Sequence, residues 1–173
     1  NIKLNKLEKK TTMIKVALSD KKSNSKLKLK IPNSNSGLAS IGEVNANDKV
    51  KFEEVKVSSI DEVVRDYNIE NVDFIKIDVE GFELNVLKGA LNTISNYKPE
   101  LLVEYSKTYQ CGYSPLELVR LLKKKNYKIE ILNSEDFWCF PTNSKYIKFD
   151  IHKIIRNVLR HLILYLKHNN VSQ

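Results

Sequence analysis

The feature that most constrains the fold of this 173-residue chain is an alternation of helix and strand patterns. From residue 58 onward, segments with apolar residues at helical spacing alternate with short, nearly continuous apolar runs. The order helix, strand, helix, strand, helix, strand is typical of an α/β domain with a largely parallel sheet. One of the apolar runs, residues 72–79, is bounded by a glycine and predicts a central strand covered on both faces.

Two segments before this region predict a small β-hairpin. Residues 26–31 alternate Lys with Leu or Ile, and residues 50–57 also alternate. Each segment would expose one face, so we expect antiparallel or edge strands that pair with each other. An earlier strand is predicted within residues 11–20, where alternating apolar positions end in turn-forming residues.

Capping residues mark the predicted helix starts. Ser59 stands three residues before Glu62, which is the spacing of a capping box. Ser114 precedes a proline at the first helical position, which predicts the start of another helix. Between them, apolar residues from Leu84 to Ile94 recur at helical spacing and predict one helix of about three turns.

Composition and charge exclude several classes of protein. The net charge is +8, but the basic residues concentrate at the two ends around an acidic middle, which argues against a nucleic-acid-binding surface. No run of about 18 uncharged apolar residues occurs, so no transmembrane helix is expected.

Cys111 and Cys139 fit neither a metal-binding spacing nor a disulfide framework, which predicts thiols in a reducing, cytoplasmic compartment. Because the chain starts at Asn1 and its only methionine is Met13, we expect a piece of a longer protein.

The densest group of charged residues lies at the end of the predicted strand 72–79. On a strand, Lys76 and Asp78 point to the same face, and we expect them to pair because an unpaired lysine in a buried strand is costly. Asp78 stands at the carboxyl end of the strand, where open α/β sheets place their ligand crevice. Glu80 falls in the following turn and Glu83 in the first turn of the next helix. These four residues are therefore candidates for a site.

The same residues also allow a structural interpretation. A single buried ion pair with two helix-favouring glutamates would place the same charges here, and acids at helix starts are common. Gly81, between the two glutamates, is expected to permit a backbone angle or a close approach that a side chain would forbid.

Residues 57–64, 72–83, 86–90 and 98–104 carry a set of motifs that occur together. In combination they resemble the FkbM family of S-adenosylmethionine-dependent methyltransferases. The similarity runs from about Asn1 to Tyr105, and its most specific pieces are KIDVEGFE and VLKGA. It implies a Rossmann-like class I methyltransferase fold that uses S-adenosyl-L-methionine to methylate a hydroxyl of a sugar or secondary metabolite.

The resemblance also implies roles for individual residues. Methyl transfer to a hydroxyl needs positioning and removal of the hydroxyl proton. Lys76 would keep Asp78 ionised, and Glu104 would bind substrate at the same crevice edge because it ends the following strand. A divalent metal held by Asp78 and Glu80 or Glu83 is an alternative, but no metal is assigned, since carboxylates alone at this spacing are a weak metal signal. The predicted catalytic residues are Asp78, Glu80, Lys76 and Glu83, and the predicted cofactor-binding residues are Ala17, Leu18, Asp20 and Asp78.

The family's glycine-rich turn and ribose-binding acid are expected upstream of Asn1. None of the five glycines stands in a G-x-G spacing after a strand, and a cofactor carboxylate needs such a backbone approach. We therefore expect residues 1–144 to be a partial, N-terminally incomplete methyltransferase domain that binds the cofactor poorly by itself. The alternatives are a non-catalytic remnant that acts as a binding module, or a membrane-peripheral accessory protein.

Residues 145–173 predict a basic amphipathic helix at the C-terminus. Apolar residues recur at helical spacing, and the three histidines of the chain all lie in this tail, so a histidine base is not expected. The helix would pack on the domain or on a second copy of the chain. Alternatively, it would lie on an anionic membrane surface. The expected reaction partner is a small-molecule or glycan acceptor, and no nucleic acid is expected.

Overall fold

The computed structural model describes residues 2–21, 25–33, 39 and 49–143. The predicted C-terminal helix at 145–173 lies outside the described residues. The described residues form four α-helices, α1 (Ile60–Asp66), α2 (Glu83–Lys88), α3 (Leu91–Tyr97) and α4 (Pro115–Lys124). They also form seven strands, β1 (Ala17–Leu18), β2 (Lys26–Pro32), β3 (Val50–Ser58), β4 (Phe74–Ile77), β5 (Glu100–Glu104), β6 (Tyr127–Ile131) and β7 (Asp136–Pro141).

The first sheet contains three strands in the order β1-β3-β2. Strands β2 and β3 are antiparallel, with Leu27 opposite Val55, so the predicted hairpin is confirmed. The short strand β1 runs parallel to β3 on its other side, with Ala17 opposite Val57. The exposed face of the hairpin carries an ion pair between Lys26 and Glu54, at 2.9 Å between Nζ and Oε2.

The second sheet contains four strands in the order β4-β5-β7-β6. Strands β4 and β5 are parallel, whereas β7 is antiparallel to both of its neighbours. The expectation of a largely parallel sheet is therefore wrong at β7. The physical reason is the connection 132–135, which is too short for the crossover that a parallel pair requires.

Strand β4 is an edge strand among the described residues, whereas its apolar sequence predicted a central strand covered on both faces. Its one described partner is β5, and the Phe74 side chain remains 49% exposed. A short apolar run predicts a buried strand, but it does not identify which strands flank it in the sheet.

The predicted helix from Leu84 to Ile94 is two helices, α2 and α3, and the boundary between them has a physical cause. At the junction, a Cβ added to Gly89 would overlap the carbonyl oxygen of Ser19, so the chain passes very close to the end of β1. Helix α3 has its own N-terminal partner, because the Asp61 carboxylate accepts hydrogen bonds from the backbone N–H groups of Asn92 and Thr93.

The other predicted helix starts are confirmed. Ser59 Oγ accepts from Glu62 N at 3.1 Å, and the Glu62 carboxylate accepts from Ser59 N at 3.1 Å, which completes the predicted capping box of α1. Ser114 and Glu117 form the same arrangement at the start of α4, with Pro115 as the first helical residue.

The hydrophobic core lies between the helices and the second sheet. Its fully buried members include Leu87 of α2, Leu101 of β5, Leu118 of α4 and Phe137 of β7. The Phe137 ring also stacks on Tyr105, with 3.9 Å between ring centroids. This core fixes the carboxyl ends of β4 and β5 next to each other. Within the described part of the chain, no helix combines the length and apolar character needed to cross a bilayer.

Candidate functional site

Two predicted site residues meet at the carboxyl ends of β4 and β5. The parallel register places Ile77 of β4 opposite Val103 of β5. The residues that follow them, Asp78 and Glu104, therefore lie at the same edge of the sheet. Their meeting follows from the topology, because adjacent parallel strands end on the same side of a sheet.

Asp78 forms the expected ion pair with Lys76. The Lys76 Nζ and Asp78 Oδ2 atoms are 2.7 Å apart, with side chains 55% and 44% exposed, so the pair is at the surface and not buried as expected. The hydrogen bond from Lys76 holds the pKa of the Asp78 carboxyl below its usual value. Asp78 is therefore an accessible carboxylate that stays ionised.

Glu104 is held by residues of the loop that follows β5. Its Oε1 atom accepts a hydrogen bond from Ser106 Oγ at 2.8 Å and lies 3.4 Å from Lys107 Nζ. The Lys107 ammonium also lies 2.7 Å from Glu80 Oε2 and so connects the loop to the turn after β4. Burial raises the pKa of the Glu104 carboxyl, although Ser106 and Lys107 act in the opposite direction.

The turn that carries Glu80 has an unusual backbone. Glu80 and Gly81 have φ values of 54° and 99°, and Phe82 N donates to Val79 O at 3.3 Å. A Cβ added at Gly81 would lie 2.6 Å from the carbonyl oxygen of Lys107. Both expected reasons for a glycine, the backbone angle and the close approach, are therefore confirmed.

Glu83 lies beneath this turn and supports it. The residue is fully buried, and its Oε1 atom accepts hydrogen bonds from Gly81 N at 2.9 Å and Val79 N at 3.2 Å. The Tyr113 hydroxyl lies 3.2 Å from its other oxygen. Burial raises the pKa of Glu83, and these backbone N–H groups lower it. A catalytic role for Glu83 stays a prediction, whereas its contacts are those of a positioning residue.

Three carboxylates form the centre of the candidate site. One oxygen from each of Asp78, Glu80 and Glu104 lies within 4.8 Å of the others, and we call these three residues the carboxylate cluster. Glu104 Oε2 is buried and has no hydrogen-bond partner among the described residues. The cluster can therefore take up a proton, accept a hydrogen bond from a hydroxyl group, or bind a cation from outside the chain.

Lys107 belongs to this site and was not predicted. It lies in an irregular segment next to the 3₁₀ turn Thr108–Cys111, where side chains follow no fixed period. The only sequence signal was its position three residues after Glu104.

The predicted cofactor-binding residues at the end of β1 lie beside α2. Ala17 and Leu18 are half-buried, and the exposed Asp20 carboxylate accepts a hydrogen bond from Asn85 Nδ2 at 3.3 Å. Asn85 lies on α2, which begins directly after the turn that carries Glu80. Helix α2 thus links the end of β1 to the turn that carries Glu80. The hydrogen bonds of Asp20 are with Ser19 and Asn85 and not with the carboxylate cluster. The cofactor-binding role of these residues stays a prediction.

Comparison with protein families matches residues 1–129 to the methyltransferase FkbM domain. No curated protein and no solved structure matches the chain. The family match includes the carboxylate cluster and extends beyond Tyr105, where the similarity visible in the sequence motifs ends. It covers most of the 173 residues, and the chain therefore belongs to the FkbM family of methyltransferases.

Proposed function

We propose that the chain transfers a methyl group from S-adenosyl-L-methionine to a hydroxyl of a sugar or secondary metabolite. Membership of a methyltransferase family supports methyl transfer. The observation that carries the proposal is the carboxylate cluster, which collects an ionised and a buried carboxylate at the ends of two adjacent parallel strands. Such strand ends are where open α/β sheets bind their ligands.

The end of β1 offers groups that suit an adenine ring. Ala17 and Leu18 provide half-buried apolar surface, and the Asp20 carboxylate is an exposed acceptor for an amino group. These three residues and Asp78 would hold the cofactor, as predicted from the family resemblance. When bound, S-adenosyl-L-methionine supplies a methyl group activated by a positively charged sulfur.

The residues of the chain have to orient the acceptor hydroxyl and remove its proton. During methyl transfer the acceptor oxygen would become positively polarised, and its proton would become strongly acidic. A carboxylate with a low pKa is then a sufficient acceptor. We assign this step to Asp78, which is accessible and is kept ionised by Lys76.

Glu80 and Glu104 would complete the acceptor side of the site. Lys107 holds both carboxylates in place, and Glu83 fixes the turn on which Glu80 is carried. Fixed carboxylates favour an acceptor with several hydroxyl groups, such as a sugar, because each oxygen can accept a hydrogen bond. The free thiols of Cys111 and Cys139 are compatible with the reducing, cytoplasmic location that we propose.

The test is transfer of a labelled methyl group to sugars and hydroxylated metabolites by the protein and by its Asp78→Asn variant, at a saturating concentration of S-adenosyl-L-methionine because weak cofactor binding is expected. We expect the variant to fold normally and to lose transfer, because the amide cannot accept the proton. Asp66→Asn is a matched control, since Asp66 also pairs with a basic neighbour, Arg65, at 2.8 Å but stands on α1 outside the cluster. Normal transfer by Asp78→Asn would remove Asp78 from the reaction.

A further inference from the structure

The carboxylate cluster contains an atom that the described chain leaves unsatisfied. Glu104 is only 6% exposed, and its Oε2 atom has no hydrogen-bond partner among the described residues. Such an oxygen is costly, because it loses its hydration without gaining a replacement. The other oxygen of the same carboxyl group accepts from Ser106 and lies near Lys107. Oε2 is therefore the atom to which an external group would bind.

The surroundings of this carboxyl group suit a cation. Asp78, Glu80 and Glu104 come from the end of β4, the following turn and the end of β5, and each provides an oxygen within 4.8 Å of the others. Oxygens on opposite sides of one Ca²⁺ ion are about 5 Å apart, and those around the smaller Mg²⁺ are closer together. The spacing of the three carboxylates is thus within the range of a single coordination shell.

We propose that Asp78, Glu80 and Glu104 bind one divalent cation of the oxygen-preferring class that includes Mg²⁺, Mn²⁺ and Ca²⁺. The cation supplies the partner that Glu104 Oε2 lacks, and it offsets the repulsion among three adjacent carboxylates. This inference does not rest on the proposed function, because cation binding can be measured without any transfer reaction.

The Lys107 ammonium is the competitor of this cation. It lies 2.7 Å from Glu80 Oε2 and 3.4 Å from Glu104 Oε1, where it neutralises part of the cluster. Its side chain is 29% exposed and has a flexible stem, so the ammonium can move into solvent. A bound cation displaces Lys107, and removal of the ammonium therefore strengthens cation binding.

Titration of the full chain with MnCl₂, followed by the electron paramagnetic resonance signal of free Mn²⁺, tests the proposal. Wild type should show one saturable site, with affinity roughly tenfold or more weaker in Glu104→Gln and several-fold tighter in Lys107→Met. Glu54→Gln is the matched control, because Glu54 is also a strand glutamate paired with a lysine but lies on the hairpin. Its affinity should equal that of wild type.

Any one of the following results would overturn the proposal. If neither wild type nor Lys107→Met binds Mn²⁺ saturably, no cation binds at the cluster. The partner of Glu104 Oε2 would then be a proton shared with Asp78. Equal affinities of wild type and Lys107→Met, or of wild type and Glu104→Gln, would place the ion outside the cluster. If Glu104→Gln fails to fold, the exposed substitution Asp78→Asn replaces it, and unchanged binding would again contradict the proposal.

Discussion

Gly81 lies directly against the backbone of Lys107, so that a Cβ at Gly81 would be 2.6 Å from the Lys107 carbonyl oxygen. This approach packs the turn after β4 against the loop after β5. The same two segments carry Glu80 and the Lys107 ammonium, whose ion pair joins them at the surface. The geometry of the carboxylate cluster therefore depends on a glycine that has no functional group.

Substitution of this glycine should be strongly destabilising. Gly81→Ala combines a positive φ of 99° with a clash against backbone, and we expect it to lower the free energy of unfolding by about 3 kcal/mol. Gly112→Ala is the control, because Gly112 also has a positive φ, 78°, but nothing lies within 4 Å of an added Cβ. There we expect a loss of only about 1 kcal/mol. Urea unfolding measures both, and equal losses would show that the Lys107 contact is unimportant.

The boundary between α2 and α3 depends on a side chain from another helix. The Asp61 carboxylate accepts hydrogen bonds from Thr93 N at 2.7 Å, Thr93 Oγ1 at 2.7 Å and Asn92 N at 3.0 Å. Asp61→Ala leaves these donors without their acceptor, so we expect the free energy of unfolding to fall by about 1–2 kcal/mol. Thermal or urea unfolding measures the loss. The control Asp66→Ala, on the exposed end of α1, should unfold like wild type, and a similar loss in both variants would contradict the capping role.

This cap illustrates why part of the fold could not be predicted from sequence. Local signals were sufficient for the hairpin and for the starts of α1 and α4, because Ser59 and Ser114 are capped by residues three positions away. The start of α3 depends instead on Asp61, about 30 residues earlier in the chain. Apolar periodicity alone extends across Gly89 without a break, and it therefore predicted one helix.

The candidate site shows the same division. Asp78 and Glu104 could be placed together in advance, because the carboxyl ends of neighbouring parallel strands share one edge. The position of Lys107 and the supporting role of Glu83 could not be predicted. Both depend on how the turn after β4 and the irregular loop after β5 pack against each other. The exposure of Lys76 was also missed, because the sequence does not reveal that β4 lies at the edge of its sheet among the described residues.

The pH dependence of stability should report the buried state of Glu104. Burial raises its pKa in the folded protein above the ordinary value of 4.5, so the folded state holds the proton more tightly than the unfolded state does. Its contribution to stability is complete below pH 4.5 and is lost as the pH rises through the folded pKa. We therefore expect the stability of wild type relative to Glu104→Gln to decrease from pH 4 towards neutral pH.

Urea unfolding across this pH range provides the measurement, with Glu54→Gln as the control. The pKa of Glu54 is lowered by its hydrogen bond with Lys26, so the stability of wild type relative to this variant should change weakly and in the opposite direction. A difference between wild type and Glu104→Gln that stays constant with pH would mean that the Glu104 carboxyl is not desolvated in solution.

The ionisation of Asp78 should depend on Lys76. The hydrogen bond from Lys76 is the main cause of the lowered pKa of Asp78, whereas partial burial acts to raise it. In Lys76→Met we therefore expect the pKa of Asp78 to rise to its ordinary value of 3.8 or above, as measured by NMR titration of the side-chain carboxyl carbon. The effect on global stability should be small, because both side chains are about half exposed.

Lys26→Met is the matched control for this titration, since it removes a lysine from an ion pair of similar length, 2.9 Å, on the hairpin. Asp78 should titrate as in wild type in that variant. In wild type, the lowered pKa means that Asp78 contributes stability above pH 3.8 and loses it as the pH falls through the folded pKa, and this acid-side loss should disappear in Lys76→Met. If Asp78 titrates identically in both variants, Lys76 does not control its charge, and the pairing at the end of β4 is not maintained in solution.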